Sequence, residues 1–327
     1  MMIYEKLSSL ESRHILPAHW LGRPYYSLDA WLKKEYGCKV YKIALDAGLT
    51  CPNRDGTLDS RGCIFCSAGG SGDFAAKGAS VNRQLEEGLK LFGAKKTGNK
   101  FIAYFQAYTN TYGPLDYLHK IYEEALRHPD VVAISIATRP DCLSAPIVDL
   151  LSHLKNRYDH KAIWIELGLQ TIHEPTASYI RRGYPLSVFA CACKTLSSLD
   201  IPVIVHLILG LPGEDEKQLL QTIDYMNQCS PFGVKLQLLH ILKHTDLASD
   251  YAAGRISSLS KEEYLTLLSK CLTHLSPSIV IHRLTGDGPK ELTIAPLWSL
   301  HKRDVLNSLH KKLKDEQLYQ GKYFRKE

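Results

Sequence analysis

From about residue 40, short apolar, β-branched runs alternate with longer stretches in which apolar positions recur every three or four residues. The runs at 40–45, 101–106, 131–137, 162–167, 203–209 and 234–239 have the length of strands. They are nearly continuous in apolar character, as expected for parallel strands covered on both faces. The stretches at 80–95, 115–127, 145–158, 186–199 and 216–228 read as amphipathic helices, the last capped by Glu214 or Asp215. This alternation predicts an α/β fold with a parallel sheet and helical crossovers. A helical lead-in is expected over 25–36. Past 246 the rhythm breaks, leaving a helix at 260–275, a strand at 279–284 and a helix at 298–313. The chain therefore divides into a lead-in (1–39), a repeating βα unit (40–245) and a C-terminal α/β extension (246–327).

Six βα units are too few for an eight-fold barrel. A doubly wound sheet and a partial barrel both remain open, and both place ligands at the C-terminal ends of the strands. Polar loops fall at those ends: 46–72, 106–112, 138–141, 168–171, 210–214 and 240–245. The extension is expected to close the barrel mouth or shape a substrate site.

Composition narrows the class. With 327 residues, 45% apolar and 23% charged, the chain has ordinary globular composition and can bury a substantial core. No apolar run approaches the roughly 18 residues of a membrane span, and MMIYEKLSSLESRH lacks a signal-peptide apolar region. The expectation is a cytoplasmic protein with no membrane partner. Nine cysteines is an odd count, which argues against a fully paired disulfide set and toward metal or redox chemistry in a reducing compartment. Cys142, Cys191, Cys193, Cys229 and Cys271 read as small buried apolar residues. The net charge of +6 is a mild bias, compatible with nucleic acid but not diagnostic. Much of it lies in Lys302, Arg303, Lys311, Lys312, Lys314, Lys322, Arg325 and Lys326, which fit either an RNA contact or a solvated helix and tail.

The chemistry centres on Cys51, Cys63 and Cys66 in LDAGLTCPNRDGTLDSRGCIFCSAGGSGDF. Cys63 and Cys66 can share one turn, and the Gly-, Asp- and Arg-rich loop can return Cys51 to them. A structural zinc site wants four ligands, and a ferredoxin cluster four thiolates. Three thiolates on a cubane leave one iron open to a non-protein ligand. Arg54 and Arg61 flank the ligands, placed either to offset cluster charge or as solvated loop residues.

Three cysteines ending in Cys-x-x-Cys just after a strand resemble the radical S-adenosylmethionine (SAM) superfamily. The eleven residues between Cys51 and Cys63 depart from its commoner, shorter gap, a departure shared with the Elongator-catalytic-subunit-like branch. The words KIALDAGLTCPNRDGT, FQAYTNTYGPLD, TRPDCL, IELGLQT, HLILGLPGE and RLTGDGP resemble YhcC/YtqA-type proteins of that branch. The resemblance implies a partial (βα)6 TIM-type barrel and a [4Fe-4S] cluster on Cys51, Cys63 and Cys66. It implies SAM on the open iron, cleaved reductively to a 5′-deoxyadenosyl radical, and an electron donor such as flavodoxin or ferredoxin. It also implies SAM-binding roles for residues at the strand ends. Gln106, Thr109 and Asn110 would hold the methionyl amino group, with Thr138 and Arg139 beside them. Glu166 and Gln170 would reach the ribose or methionyl carboxylate, unless Glu166 simply pairs with Arg139. His206 and Gly210 belong to a GxIxGxxxE-like adenine pattern in which His206 replaces the first Gly. His240, Lys243, Arg283, His244 and Asp287 are substrate-side candidates, with Lys243 and Arg283 suited to an anion and Asp287 equally suited to a turn. No catalytic residue is singled out.

Three functions follow. The branch resemblance implies tRNA as partner and the C5 side chain of wobble uridine as target, for example carboxymethylaminomethyl to aminomethyl. Acetyl transfer is not expected, because barrel and extension account for all 327 residues. A radical SAM enzyme acting on a small metabolite or a protein side chain is the second reading. A non-catalytic zinc-binding adaptor is the third.

Overall fold

A computed structural model describes residues 16–70, 72–75, 80–92 and 97–325. Residues 1–15, the end of the helix expected to reach Lys95, and Lys326 lie outside them. In chain order the elements are α1 (Leu28–Tyr36), β1 (Val40–Leu45), α2 (Val81–Phe92), β2 (Lys100–Phe105), α3 (Leu115–Arg127) and β3 (Val131–Thr138). Next come α4 (Ala145–Arg157), β4 (Ala162–Gln170), α5 (Glu174–Tyr179), α6 (Leu186–Ser198), β5 (Val203–Leu209), α7 (Glu216–Cys229) and β6 (Gly233–Leu238). The remainder is β7 (Ile241–Leu242), α8 (Asp246–Ala252), α9 (Lys261–His274), β8 (Val280–Arg283), β9 (Thr293–Ala295) and α10 (Lys302–Asp315).

The main sheet runs β1-β2-β3-β4-β5-β6-β8, every pair parallel. This monotonic order excludes a doubly wound sheet, whose order reverses at a switch point. The sheet is curled as well, because side chains from β1, β3, β5 and β6 all reach one carboxylate on β4. The fold is a partial TIM-type barrel. Its six expected strands are joined by a seventh, β8, drawn from beyond residue 245. The antiparallel pair β7–β9 stands beside the sheet.

Outward residues of the strands, such as Phe105, Ile136, Ile165, Val205 and Leu236, form the main core with the helices. A second core fills the barrel floor, where Leu32 of α1 packs with Val40, Ile102, Ala133, Trp164 and Ile204. Trp31 meets the rings of Trp164 and Phe232 edge-on at 5.6 and 4.9 Å. The lead-in helix is thus a plug, and everything above it is open for chemistry. Local signals place the elements. Ser27 caps α1, and Asp215 with Gln218 forms a capping box that starts α7. β4 outruns its expected end because it bulges between Gly168 and Gln170. The helix expected from 298 starts at Lys302, since the residues after Pro296 form a separate 3-10 turn. No described helix is long and apolar enough to cross a membrane.

Candidate functional site

The loop after β1 folds back on itself. Arg54 N–H donates to Cys51 O at 2.8 Å, Leu58 N–H to Pro52 O at 2.8 Å and Gly62 N–H to Asn53 O at 2.7 Å. The eleven-residue gap is therefore a closed excursion that returns Cys63 to the neighbourhood of Cys51. Cys66 N–H donates to Cys63 O at 3.0 Å, so these two share one turn. Asn53 Nδ2 donates to Cys63 Sγ at 3.5 Å and Arg181 O at 2.7 Å. Arg54 Nη2 donates to Cys66 O at 3.0 Å, clamping the turn. Ile64 anchors the loop in a small rim core with Ile180, Ile208, Leu211, Leu239 and Leu247. Arg61 instead points outward and pairs with Asp59.

All three cysteines line one cavity of about 170 Å³ at the C-terminal ends of the strands. A hydrogen bond from Cys66 pulls the Cys63 thiol down to about 6 against the effect of burial, helped by Asn53, Arg139 and Arg54. The same bond, with burial, holds the Cys66 thiol well above its usual range. Arg139 and Arg54 are thus cations that favour a thiolate at Cys63. All nine cysteines are free thiols. A zinc site gathers thiolates around one ion at about 2.3 Å. A cubane spreads its thiolates over separate irons, and this donor set of three thiols on one cavity beside two arginines fits the cluster.

The same cavity is lined by Gln106, Thr109, Thr138, Arg139, Glu166, Gln170, His206 and Arg283. Thr138 Oγ1 and Thr111 Oγ1 are hydrogen-bonded at 2.6 Å. Arg139 makes a two-point pair with Asp141 at 2.9 and 2.7 Å, so the Glu166–Arg139 pair considered above does not form. Arg139 and Arg182 lie 5.0 and 4.9 Å from the Tyr184 ring centroid. Buried Arg182 ties Thr171 O (2.7 Å), Tyr184 O (2.9 Å) and Glu174 together beneath the bulged end of β4.

Glu166 sits deeper than expected, fully buried in mid-barrel. Lys42 Nζ (3.0 Å) and Ser135 Oγ (2.6 Å) donate to its Oε1. His206 Nε2 (2.7 Å) and Lys235 Nζ share its Oε2, and Lys235 also donates to Tyr104 OH at 3.0 Å. Four donors use its acceptor capacity, so it organises this layer rather than reaching up to a ribose. Burial opposes its ionisation, but Lys235, Lys42 and His206 outweigh burial and hold its carboxyl well below the usual range. Burial drives Lys235 down to about 7 against the pull of Glu166. Burial and Lys235 push His206 down to about 4, so at neutral pH it is an uncharged donor to Glu166.

Two other SAM-side candidates lie off the cavity. Asn110 is buried, with Nδ2 within 3.1 Å of the carbonyls of Phe105, Ala107 and Ala137. It pins the β2 and β3 loops together. Gly210 has φ +82°, and a Cβ there would lie 2.8 Å from Leu259; it makes the turn after β5. Glu214 of the same motif accepts from Thr171 at 2.5 Å, linking the β4 and β5 loops.

On the substrate side, a chamber of about 690 Å³ adjoins the cysteine cavity, with Phe65, Cys66, Tyr104, Gln106, Lys235, Gln237 and Arg283 lining both. It occupies the gap between the edge strands β1 and β8. His240 lines it and lies 3.1 Å from Ser299 Oγ. Arg283 and Lys302 both contact Asp287, at 3.2 and 2.9 Å. Exposed Lys243 and His244 are not among its lining residues. In the basic C-terminal segment, Lys312 pairs with Glu316 and Glu262, while Lys311 and Lys314 are exposed.

Lys42, Tyr104, Ser135, Lys235 and His282 were not singled out from the sequence. A signal was present: a lysine within a mostly apolar strand, as in VYKIAL and GVKLQL, is costly unless it meets a buried partner.

The Radical SAM superfamily model matches residues 60–226, and the Radical_SAM C-terminal domain model residues 231–315. YtqA of Bacillus subtilis (strain 168) is 42% identical over 303 residues, 92% of this chain and 93% of that protein. YhcC of Escherichia coli (strain K12) is 35% identical over 268 residues, 82% of this chain and 85% of that protein. In fold, the chain is similar to archaeal Elp3 from Methanocaldococcus infernus, with TM-score 0.65 at 15% identity, covering 86% of this chain and 64% of that one.

Proposed function

We propose that this chain, which belongs to the radical SAM superfamily and is an enzyme of the [4Fe-4S] and SAM type, remodels the C5 side chain of wobble uridine in tRNA. The observation that carries the substrate reading is the chamber of about 690 Å³ beside the cysteine cavity. Its volume suits a ligand of nucleoside size, its lining is rich in cations, and it opens in the gap between β1 and β8. The resemblance to the Elongator-like branch supplies the target atom. Conversion of carboxymethylaminomethyl to aminomethyl is the reaction we favour: the methylene between nitrogen and carboxylate would lose a hydrogen atom and a further electron, with SAM the net oxidant, and water would then break its bond to nitrogen and release the two carbons as glyoxylate.

Cys51, Cys63 and Cys66 would hold the cluster. Gln106, Thr109, Thr138, Arg139 and Gln170 would surround SAM, with Arg139 the cation for its carboxylate. When bound, this pair supplies a carbon radical that can take a hydrogen atom from the substrate. The chain's own task is to position and to exclude water. Tyr104, Gln106 and Gln237 stand where the two cavities meet. The Glu166 layer fixes Tyr104 and Lys235 from below. A flavodoxin or ferredoxin would deliver the electron, and the free thiols suit the reducing cytoplasm.

The test is the nucleoside profile of tRNA from cells with and without the gene. The deletion is expected to accumulate carboxymethylaminomethyluridine, and the intact gene, but not its Cys66→Ala variant, to reverse this. Unaltered wobble uridines in the deletion would remove tRNA as the substrate.

A further inference from the structure

The chamber beyond the cysteine cavity carries more positive charge than its own carboxylates neutralise. Lys42, Lys235, Arg283, Lys290 and Lys302 line it, against Asp73 and Asp287. Glu166, behind the wall, is shared by Lys42 and Lys235. Asp287 is shared by Arg283 and Lys302. Each carboxylate thus faces two cations: the Asp287 group is left with one positive charge in excess, and the Glu166 group with one whenever Lys235, driven down to about 7 by burial, holds its proton. Asp73 accepts a hydrogen bond from Ser67 Oγ at 2.8 Å. Lys235 is only 4% exposed at its side chain, so its charge is withdrawn from water, where an uncompensated cation is costly, whereas Arg283 is 28% exposed and open to a ligand.

A second, independent feature lies at the same place. His282 lines the chamber at the barrel floor, edge-on to the rings of Trp164 and Phe232 at 5.8 and 5.4 Å. Both of its ring nitrogens are buried without a hydrogen-bond partner. A neutral imidazole always carries one N–H, so one donor is unsatisfied. Arg283 offers a planar fork of donors, of which the Asp287 contact uses only part.

We propose that Arg283, Lys235 and His282 form a seat for a carboxylate on the substrate, which places the carbon bearing it toward the cavity of the three cysteines. This rests on the wobble-uridine reading above and deepens it: the seat selects a C5 side chain that ends in a carboxylate over one that ends in an amine. Binding the anion neutralises the excess charge, and a turn of the His282 ring toward the chamber would give its covered N–H an acceptor. The product has lost the group the seat holds, so it leaves more readily than the substrate.

Calorimetry on the reconstituted full-length protein with SAM tests this. The probes are 5-carboxymethylaminomethyluridine, 5-aminomethyluridine, uridine 5′-monophosphate and iminodiacetate. The wild type should bind the first at least about ten-fold more tightly than the second, the scale of a charge-assisted hydrogen bond. Arg283→Gln should bring the two within about two-fold, and Arg283→Lys, which keeps the charge but loses the fork, should fall between. Equal affinities in the wild type, or a preference untouched by Arg283→Gln, overturns the seat. Tighter binding of the monophosphate than of the carboxylate nucleoside also overturns it, making this a phosphate site. If neither nucleoside binds but iminodiacetate binds the wild type and not Arg283→Gln, the seat stands and the uridine reading falls. If no carboxylate probe binds, the seat falls whatever the substrate is.

Discussion

Glu166→Gln removes one negative charge from the centre of the barrel without changing its volume. Oε1 meets Lys42 and Ser135, and Oε2 meets His206 and Lys235. An amide presents an oxygen on one side and an N–H₂ on the other, so one lysine must face a donor. Ser135 can rotate its hydroxyl and His206 can change tautomer. Lys42, 24% exposed at its side chain, can swing away, but Lys235 at 4% cannot. Removing one partner of a buried ion pair costs about 3–5 kcal/mol. Lys235 limits the loss by shedding its proton. It titrates at about 7 in the wild type, and without Glu166 it must titrate lower.

The sign follows from proton counts. Between the variant's lower value and about 7, the folded wild type binds a proton at Lys235 that the folded variant has lost, while both unfolded chains remain charged there. The variant's stability therefore climbs with pH relative to the wild type by up to ~1.4 kcal/mol per unit. Above about 7 the difference is level. Urea unfolding at pH 6 and pH 8, read as midpoint shifts at constant m, should give a penalty of ~3 kcal/mol at pH 6, where Lys235 is charged in the wild type, and one smaller by about 1 kcal/mol at pH 8. A penalty below ~1 kcal/mol at both pH values, or one larger at pH 8, would refute the four-donor account.

Cys66→Ala should take anaerobically reconstituted protein from about four irons per chain to almost none, whereas Cys271→Ala, deep in the core, should keep its iron; colorimetric iron analysis decides. Gly70 has φ +56°, and a Cβ there would lie 2.3 Å from the Tyr108 ring. Gly70→Ala should therefore cost about 1–3 kcal/mol and show as faster proteolysis of the cysteine loop, with unchanged digestion refuting the contact. Replacing exposed Lys311 and Lys314 with Gln should reduce the salt dependence of tRNA binding by up to about two phosphate contacts, and an unchanged slope would make that helix face an inert solvated surface.

The strands were legible because both faces of a parallel barrel strand are covered, which leaves nearly pure apolar runs such as VIVHLIL. β8 was legible as a strand but not as part of the sheet. Its crossover departs from the βα rhythm, inserting β7 and α8 before α9. The cysteine spacing exposed the cavity, since a loop of that kind has few other uses. Glu166, Lys42 and Lys235 could not be connected beforehand, because their meeting depends on the curl that brings β1, β4 and β6 around one axis. Asn110 has the chemistry of a ligand contact, yet local chain geometry turns its amide toward three backbone carbonyls. His206 departs from the glycine expected in its motif, and the structure supplies the reason. It completes the donor set around Glu166, an arrangement a glycine cannot provide.

The most direct measurement is 5′-deoxyadenosine release by the reduced, reconstituted enzyme with SAM, in the presence of tRNA whose wobble uridine does or does not carry the carboxymethylaminomethyl group. Faster release is expected only with the modified tRNA, accompanied by conversion of that nucleoside to its aminomethyl form. Release indifferent to the modification, with every wobble nucleoside unchanged, would contradict it.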